Sequence, residues 1–520
     1  MKHRTEPIVD HRLAATLPEA LGSQPDPGRL RPWARINVRK AAPIALACLG
    51  AATAGQAIES QEVRKPNILV IYTDDQGYAD LECQGILNDL KTPHLDRLAA
   101  DGVRCTSGYC SAPQCIPSRA GIMSGRYQTR FGVDNNGTIP MPLSETLIPQ
   151  RLQSAGYTTG MVGKWHLEPN HIQKEWIREN MPGANLERRV RIPHAKSRPY
   201  LPDRRGFTDS FCGQTHRYWA TYDLNEKDVS PPRHVHKGGY RLDLQTDAAL
   251  TFIDRHAEDP FFLYLAYFAP HVPLDATDKY LKRFPGEMPR RRRLALAMLA
   301  AMDDGVGRIR ERLEAHGLTE NTLIFFISDN AAPLKIHMKD APGVGPGWDG
   351  SRNDPWVGEK GMLTEGGIRV PFIVTWPGRI PAGQTFDEPV ITLDVGATAV
   401  ALAGLPQAPE LDGVNLIPHL TDRASSKPPH EKLFWRFWNQ SAIRKGRWKY
   451  LQAGPRKYLF DLQSPEHEKR NRIADHPAIA AELQAELRHW ADEQKNPGVP
   501  TGPLNRQESG WYDHYLPTEG

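Results

Sequence analysis

The chain is predicted to fold as α/β: a large mixed, mostly parallel sheet sandwiched by helices, with a smaller C-terminal domain holding an antiparallel sheet and a helix. Three observations carry that prediction. Two continuous apolar runs, at 67–73 and 321–327, have the pattern of strands buried on both faces of a sheet. Each run ends abruptly in acids, Asp74-Asp75 and Ser328-Asp329-Asn330, as expected of an open sheet whose ligand site lies at the carboxyl ends of its strands. Between and after them, strand-like and helical patterns alternate.

Taken in order, the chain opens with a polar stretch. Arg35, Arg39 and Lys40 then precede an apolar segment at 41–55 that ends in small residues, the layout of a secretory signal peptide. The segment is too short for a stable membrane span. It implies export, to the periplasm or beyond the cell. The expected divisions are 1–60 for this leader, 64–420 for the main domain and 421–520 for the C-terminal one. Within the main domain, further strands are expected at 158–162, 261–268 and 370–375, and helices at 94–101, 118–123, 143–155, 243–256 and 291–316. The polar, basic segment 168–203 reads as an insertion by the site mouth or a plain surface loop. In the C-terminal domain, strand-like pieces at 433–437, 441–443, 448–452 and 458–462 precede a helix at 477–494. The Pro/Gly-rich tail after it is expected to be poorly ordered.

With 39% hydrophobic and 24% charged residues, the composition is that of an ordinary globular protein. A net charge of +4 over 520 residues, without a dense Lys/Arg block interleaved with aromatics, argues against a nucleic-acid partner. The run Arg290-Arg-Arg-Arg293 reads as the solvated face of a helix. Six cysteines in a chain this long do not make a disulfide framework.

One cysteine stands apart. Cys115 lies in a small-residue loop that turns straight into a helix, within Cys115-Ile-Pro117-Ser118-Arg119 and a later Ser124-Gly125-Arg126. Arg119, one helical turn on, can reach back to it. Asp74, Asp75, Asp329 and Asn330 offer oxygen-bearing side chains at two strand ends, a hard set suited to Ca²⁺ or Mg²⁺ rather than zinc. Singly, each dyad would read as a turn or helix cap; at matching strand ends they read as a site. Four more segments follow: Gly163-Lys164-Trp165-His166, Pro270-His271-Val-Pro273, Gly358-Glu-Lys360-Gly and Glu365-Gly-Gly-Ile-Arg369.

Together these motifs resemble the formylglycine-dependent sulfatases of the alkaline phosphatase-like superfamily, from about residue 66 to the end of the helix that opens at Pro477. The resemblance implies that a maturation enzyme oxidises Cys115 to formylglycine, whose hydrate ligates the metal and attacks sulfur. It implies Asp74, Asp75, Asp329 and Asn330 as the other ligands, with calcium as the ion and magnesium as the alternative. Arg119 would hold the hydrate, and Lys164 and Lys360 the sulfate oxygens. His271 would protonate the leaving oxygen, Asp329 would serve as base, and His166 would assist sulfate release. The chain departs from the pattern at Ala331, where glycine is usual, and at Thr364, where an aromatic is usual; both bear on pocket shape. The implied activity is sulfuric ester hydrolysis on a sulfated polysaccharide or oligosaccharide. The alternatives are a small aryl sulfate substrate, a formylglycine-dependent phosphonate or phosphodiester hydrolase, and, outside enzymes, an unmodified sulfated-glycan-binding protein. His216, Arg217, Tyr218 and Trp219 are open between a pocket for an anionic sugar and ordinary loop and core positions.

Overall fold

The computed structural model of the protein describes residues 64–336, 348–406, 408–422 and 427–516; the leader expected at 1–60 lies outside them, apart from which residue 64 onward is continuous into the first strand. The strands are β1 (Asn67–Asp74), β2 (Val103–Cys105), β3 (Gly108–Tyr109), β4 (Thr158–Gly163), β5 (Asp209–Gly213), β6 (Arg217–Tyr222), β7 (Asp228–His236) and β8 (Phe261–Pro270). They continue as β9 (Thr322–Ser328), β10 (Phe372–Thr375), β11 (Gln384–Phe386), β12 (Val390–Ile391), β13 (Lys432–Phe437), β14 (Gln440–Lys445), β15 (Trp448–Ala453) and β16 (Arg456–Asp461). A ten-stranded sheet has the order β11-β2-β10-β9-β1-β8-β4-β5-β6-β7. Its centre, β9-β1-β8-β4-β5, is parallel, while β10, β6 and β7 pair antiparallel to their inner neighbours.

The two apolar runs occupy adjacent central positions because both of their faces are covered. In β1, Ile68, Val70 and Tyr72 join one core and Leu69 and Ile71 the other. Helix Cys115–Ser124 packs in the first, and helices Arg241–Arg255 and Arg290–Ala315 close the second. A separate antiparallel sheet, β13-β14-β15-β16, carries the C-terminal part. Among the described residues no helix is long and apolar enough to cross a membrane.

Three expectations give way. The helix expected at 143–155 is only Ile148–Ser154: Pro149 sits in its first turn, where the fixed φ of proline suits a helix start, and Gln150 reaches back to the Leu147 N–H. The Arg290–Arg293 run is not wholly solvated, since Arg292 is buried between Asp80 and Asp89, at 2.8 Å from each. Nor is the tail unstructured, because helix Arg506–Tyr515 buries Trp511 and Tyr512 behind an Asn505–Glu508 capping box.

The C-terminal sheet is tied to the short helix Glu365–Ile368, which precedes β10, through a buried ionic cluster. Lys449 of β15 donates to Glu365 and to Glu468, at 2.9 Å each, and the Glu365 N–H donates to Glu468. Burial, and the Glu365 charge beside it, push the Glu468 carboxyl up to about 7 against the pull of Lys449. Burial opposes ionisation of Glu365 too, but Lys449, Arg369 and Arg444 outweigh it and hold that carboxyl down to about 2. The folded state therefore binds the Glu468 proton more tightly than the unfolded chain does. Its contribution is complete below about pH 4.5 and is lost as pH rises to about 7, a slope worth ~3 kcal/mol. Urea midpoints measured between pH 4.5 and 8 should fall for the native protein and show less of that fall in Glu468→Gln; parallel curves would refute the assignment.

Candidate active site

Four adjacent strands, β9, β1, β8 and β4, deliver their carboxyl ends to one place. β1 brings Asp74 and Asp75, β9 brings Asp329 and Asn330, β4 runs into Lys164, and β8 runs into His271. Cys115 enters from the side as the first residue of helix Cys115–Ser124. Its backbone conformation is set partly by side chains, with Asn136 accepting from the Ile116 N–H at 2.9 Å and Ser118 bonded to Tyr72 of β1. The turn out of β4 demands glycine: Gly163 has φ +92°, and a Cβ there would lie 2.0 Å from the Ala266 carbonyl oxygen. Asp75 and His166 also hold positive φ, 63° and 61°, a strained backbone of the kind that collects at functional sites.

The side chains converge on Cys115 Sγ. Lys360 Nζ lies 3.2 Å from it, Asp74 Oδ1 3.6 Å and Asp75 Oδ1 4.0 Å. Lys164 Nζ bonds both oxygens of Asp74, at 2.8 and 2.7 Å, and Lys360 bonds Asp75 at 2.5 Å. Arg119 grips Asp329 through Nε and Nη2, at 3.0 and 2.7 Å, and stands 3.5 Å from Asp74. His271 Nε2 faces Asp75 at 3.6 Å, while its Nδ1 pairs with the Val272 carbonyl at 2.6 Å. Every cation expected at the site is thus within reach of an acid or of the thiol.

The field follows from these contacts. Burial would raise the Cys115 thiol, but Lys164 and then Lys360 outweigh it and bring it down to about 7. Burial likewise opposes ionisation of Asp74, yet Lys164, His271 and Arg119 hold it well below the usual carboxylate range. His271 is raised by Asp74 and Asp75 against desolvation. His166 goes the other way, kept neutral by burial and by the nearby Lys164 and Arg119. It shares the field of the cluster, and its buried Nδ1 lacks a hydrogen-bond partner.

The donor set fits a hard divalent ion. Asp74, Asp75, Cys115 and His271 present ligand atoms within 4.8 Å of one another. Asn330 adds the telling detail: its Nδ2 donates to Asp75 at 2.6 Å, while its buried Oδ1 has no hydrogen-bond partner. A buried carbonyl oxygen left over beside three carboxylates is what an oxygen-seeking cation would take up.

The Sulfatase family model matches residues 66–405, and that of the N-sulphoglucosamine sulphohydrolase C-terminal region matches 356–495. The chain belongs to the sulfatase family. This sulfatase is 30% identical to human arylsulfatase D over 454 residues, covering 75% of this chain and 74% of that protein. It is 34% identical to the N-acetylgalactosamine-6-sulfatase of Canis lupus familiaris over 410 residues, covering 73% and 70%. It superposes on the crystal structure of Ps i-CgsB in complex with k-i-k-neocarrahexaose with a TM-score of 0.68 and 29% identity, covering 86% of this chain and 97% of that one. The protein is a sulfuric ester hydrolase by family.

Some of the sulfatase's supporting residues escaped sequence reading. Tyr264 of β8 stands against Arg119 Nη1, and Asn353 holds the Ala332 backbone through both ends of its amide. Neither carries a motif or a period. The segment at 216–219 divides: Tyr218 is core, stacked on Phe211 at 4.5 Å, whereas His216 and Arg217 are exposed. Trp219 is buried under the Arg198 guanidinium, with its indole N–H on Asp203.

Proposed function

We propose that the protein removes sulfate from a carbohydrate sulfate ester, with formylglycine made from Cys115 and a calcium ion, or magnesium in its place, held by Asp74, Asp75, Asp329 and Asn330. The observation that carries this reading is the convergence on Cys115: one side chain at a helix N-terminus with Lys360, Asp74 and Asp75 within 4.0 Å of its sulfur. The aldehyde hydrate would supply the nucleophilic oxygen, and the ion would polarise it and the sulfate.

The chain's own groups do the rest. Lys164 and Lys360 provide fixed positive charge for the non-bridging sulfate oxygens, which a buried site strengthens relative to water. Arg119, always protonated, holds Asp329 in place through its forked contact, while burial pushes that carboxyl well above the usual carboxylate range. His271 is the proton donor for the departing alcohol: Val272 occupies its Nδ1, leaving Nε2 directed at the cluster, where Asp74 and Asp75 favour its charged form against desolvation. His166 remains neutral and is suited to accept a proton when sulfate leaves. Cys115 is 1% exposed, so a formylglycine-generating enzyme must reach it before the fold closes. The basic leader pattern supports export.

A sugar substrate is favoured by two things. Relatives are named for N-acetylgalactosamine 6-sulfate, and a structural neighbour was crystallised with a neocarrahexaose. In addition, Arg188, Arg189, Arg191, Arg217 and Arg233 are exposed and make no ion pair among the described residues, positive charge left available to a polyanionic chain.

The test has two arms. Mass spectrometry of the Cys115 peptide from protein matured in a competent host should show loss of the thiol, and a panel of carbohydrate sulfates should be desulfated faster than an aryl sulfate. Faster turnover of an aryl phosphonate would overturn the reaction class. Calcium at about a hundred times its Kd should stabilise the protein by about 2.7 kcal/mol, read as a raised urea midpoint, and Asp75→Asn should remove that increment.

A further inference from the structure

We infer that Gln440, held by the chain-terminal helix Arg506–Tyr515, positions Lys360 for catalysis; the inference rests on the role given to Lys360 above. A lysine reaches its target through four rotatable bonds, so the placement of Nζ depends on how firmly the backbone beneath it is held. Lys360 lies in a loop with no regular structure of its own. On the near side, its N–H donates to the Ala332 carbonyl at 3.1 Å, and the Gly361 N–H to Pro113 at 3.0 Å. Those contacts tie the loop to the segments that follow Asn330 and precede Cys115.

The far side is held by one amide. Gln440, the first residue of β14 and fully buried, donates from Nε2 to the Gly361 carbonyl at 2.9 Å and accepts at Oε1 from the Leu363 N–H at 3.1 Å. It thereby brackets the residues immediately after Lys360. The same amide is fixed from behind. Tyr512 donates to Oε1 at 2.5 Å, and Nε2 donates a second time to Glu508 at 3.3 Å. Both donors and both acceptor sites of the side chain are therefore in use, which leaves it a single orientation.

Glu508 and Tyr512 are one turn apart on the same face of helix Arg506–Tyr515. Trp511, between them, covers Gly361: that glycine has φ +97°, and a Cβ on it would meet the indole at 2.4 Å. The helix thus presses on the loop at Gly361 and grips it through Gln440. It also lies beyond residue 495, where the second family match ends, so this support comes from a part of the chain that neither family match describes. Gln440 touches neither substrate nor reacting atoms. It is a positioning residue.

Steady-state kinetics on the best-hydrolysed sulfate ester, with the full chain, test this through Gln440→Ala, Lys360→Ala and the double variant, alongside urea midpoints. Gln440→Ala is expected to lower kcat about tenfold with little change in KM, and Lys360→Ala to lower it on the order of 10²–10³-fold. In the Lys360→Ala background, the Gln440 substitution should change kcat less than about twofold, because its effect passes through the missing lysine. An equal loss in both backgrounds, or a lowered midpoint with unchanged kcat, overturns the inference. Tyr512→Phe removes one hydrogen bond at nearly constant volume and should give about a threefold, equally non-additive loss if Gln440→Ala fails to fold. Full turnover by Lys360→Ala would instead overturn the role of Lys360 itself, a result separable from failure of the clamp.

Discussion

Arg119→Met is expected to cost about 3–5 kcal/mol of folding stability and to lower kcat on the order of 10²–10³-fold. Arg119 is completely buried, paired in two contacts with Asp329 and close to Asp74, and its Nη1 donates to the Lys164 carbonyl at 2.9 Å. Burial disfavours a charged guanidinium, but Asp329 first, then Tyr264 and Asp74, hold its proton on. Methionine fills much of the space and none of the charge. It leaves Asp329 buried without its partner and removes the donor that fixes the backbone of Lys164, so stability and catalysis fall together. Arg119→Lys separates the two: a point charge restores part of the neutralisation but cannot make the forked contact to Asp329, so stability should recover more than kcat. Urea titration and steady-state kinetics on both variants read this out, and a methionine variant within 1 kcal/mol of the native protein would refute the argument.

That prediction depends on residues which sequence alone brought together. The central strands were legible because β1 and β9 are buried on both faces and so lack any alternation, and because each breaks into acids at the sheet edge. The motif residues Asp74, Asp75, Cys115, Arg119, Lys164, His271, Asp329, Asn330 and Lys360 do meet in the structure, whereas their chemical roles rest on the proposed mechanism. What failed to show was of two kinds. Strand β7 contains Ser-Pro-Pro and forms the sheet edge, where proline is tolerated because one side of the strand needs no donor; its prolines leave no strand pattern in the sequence. The tail helix was hidden by its Pro/Gly-rich surroundings, although Asn505-x-x-Glu508 is a capping signal and Trp511-Tyr512 an apolar anchor. Side chains such as Gln440 and Asn353, which act by satisfying distant backbone, leave no local trace at all. Their partners lie 79 and 21 residues away.

Lys449→Met is expected to be the most damaging substitution remote from the reacting atoms. Lys449 is fully buried and is the shared partner of Glu365 and Glu468, themselves buried. Removing it strips both carboxyls of the cation that favours their charged forms, so at pH 8 the folded variant must keep two poorly compensated charges in a dry interface or take up a proton that the unfolded chain does not, and the loss should reach about 3–5 kcal/mol. At pH 5 the Glu468 carboxyl, whose pKa is about 7, already holds a proton, and Arg369 still faces Glu365, so the same variant should lose less. Lys449→Met combined with Glu468→Gln should recover part of the pH 8 loss, because one of the two stranded charges is gone. Catalysis is drawn in as well: Glu365 opens the short helix Glu365–Ile368 at the end of the loop that carries Lys360, and its N–H is fixed by Glu468. The single variant should therefore show a lowered kcat even where it remains folded. Urea midpoints at the two pH values decide the electrostatic part. Equal losses at pH 5 and pH 8 would mean that Lys449 serves by packing alone.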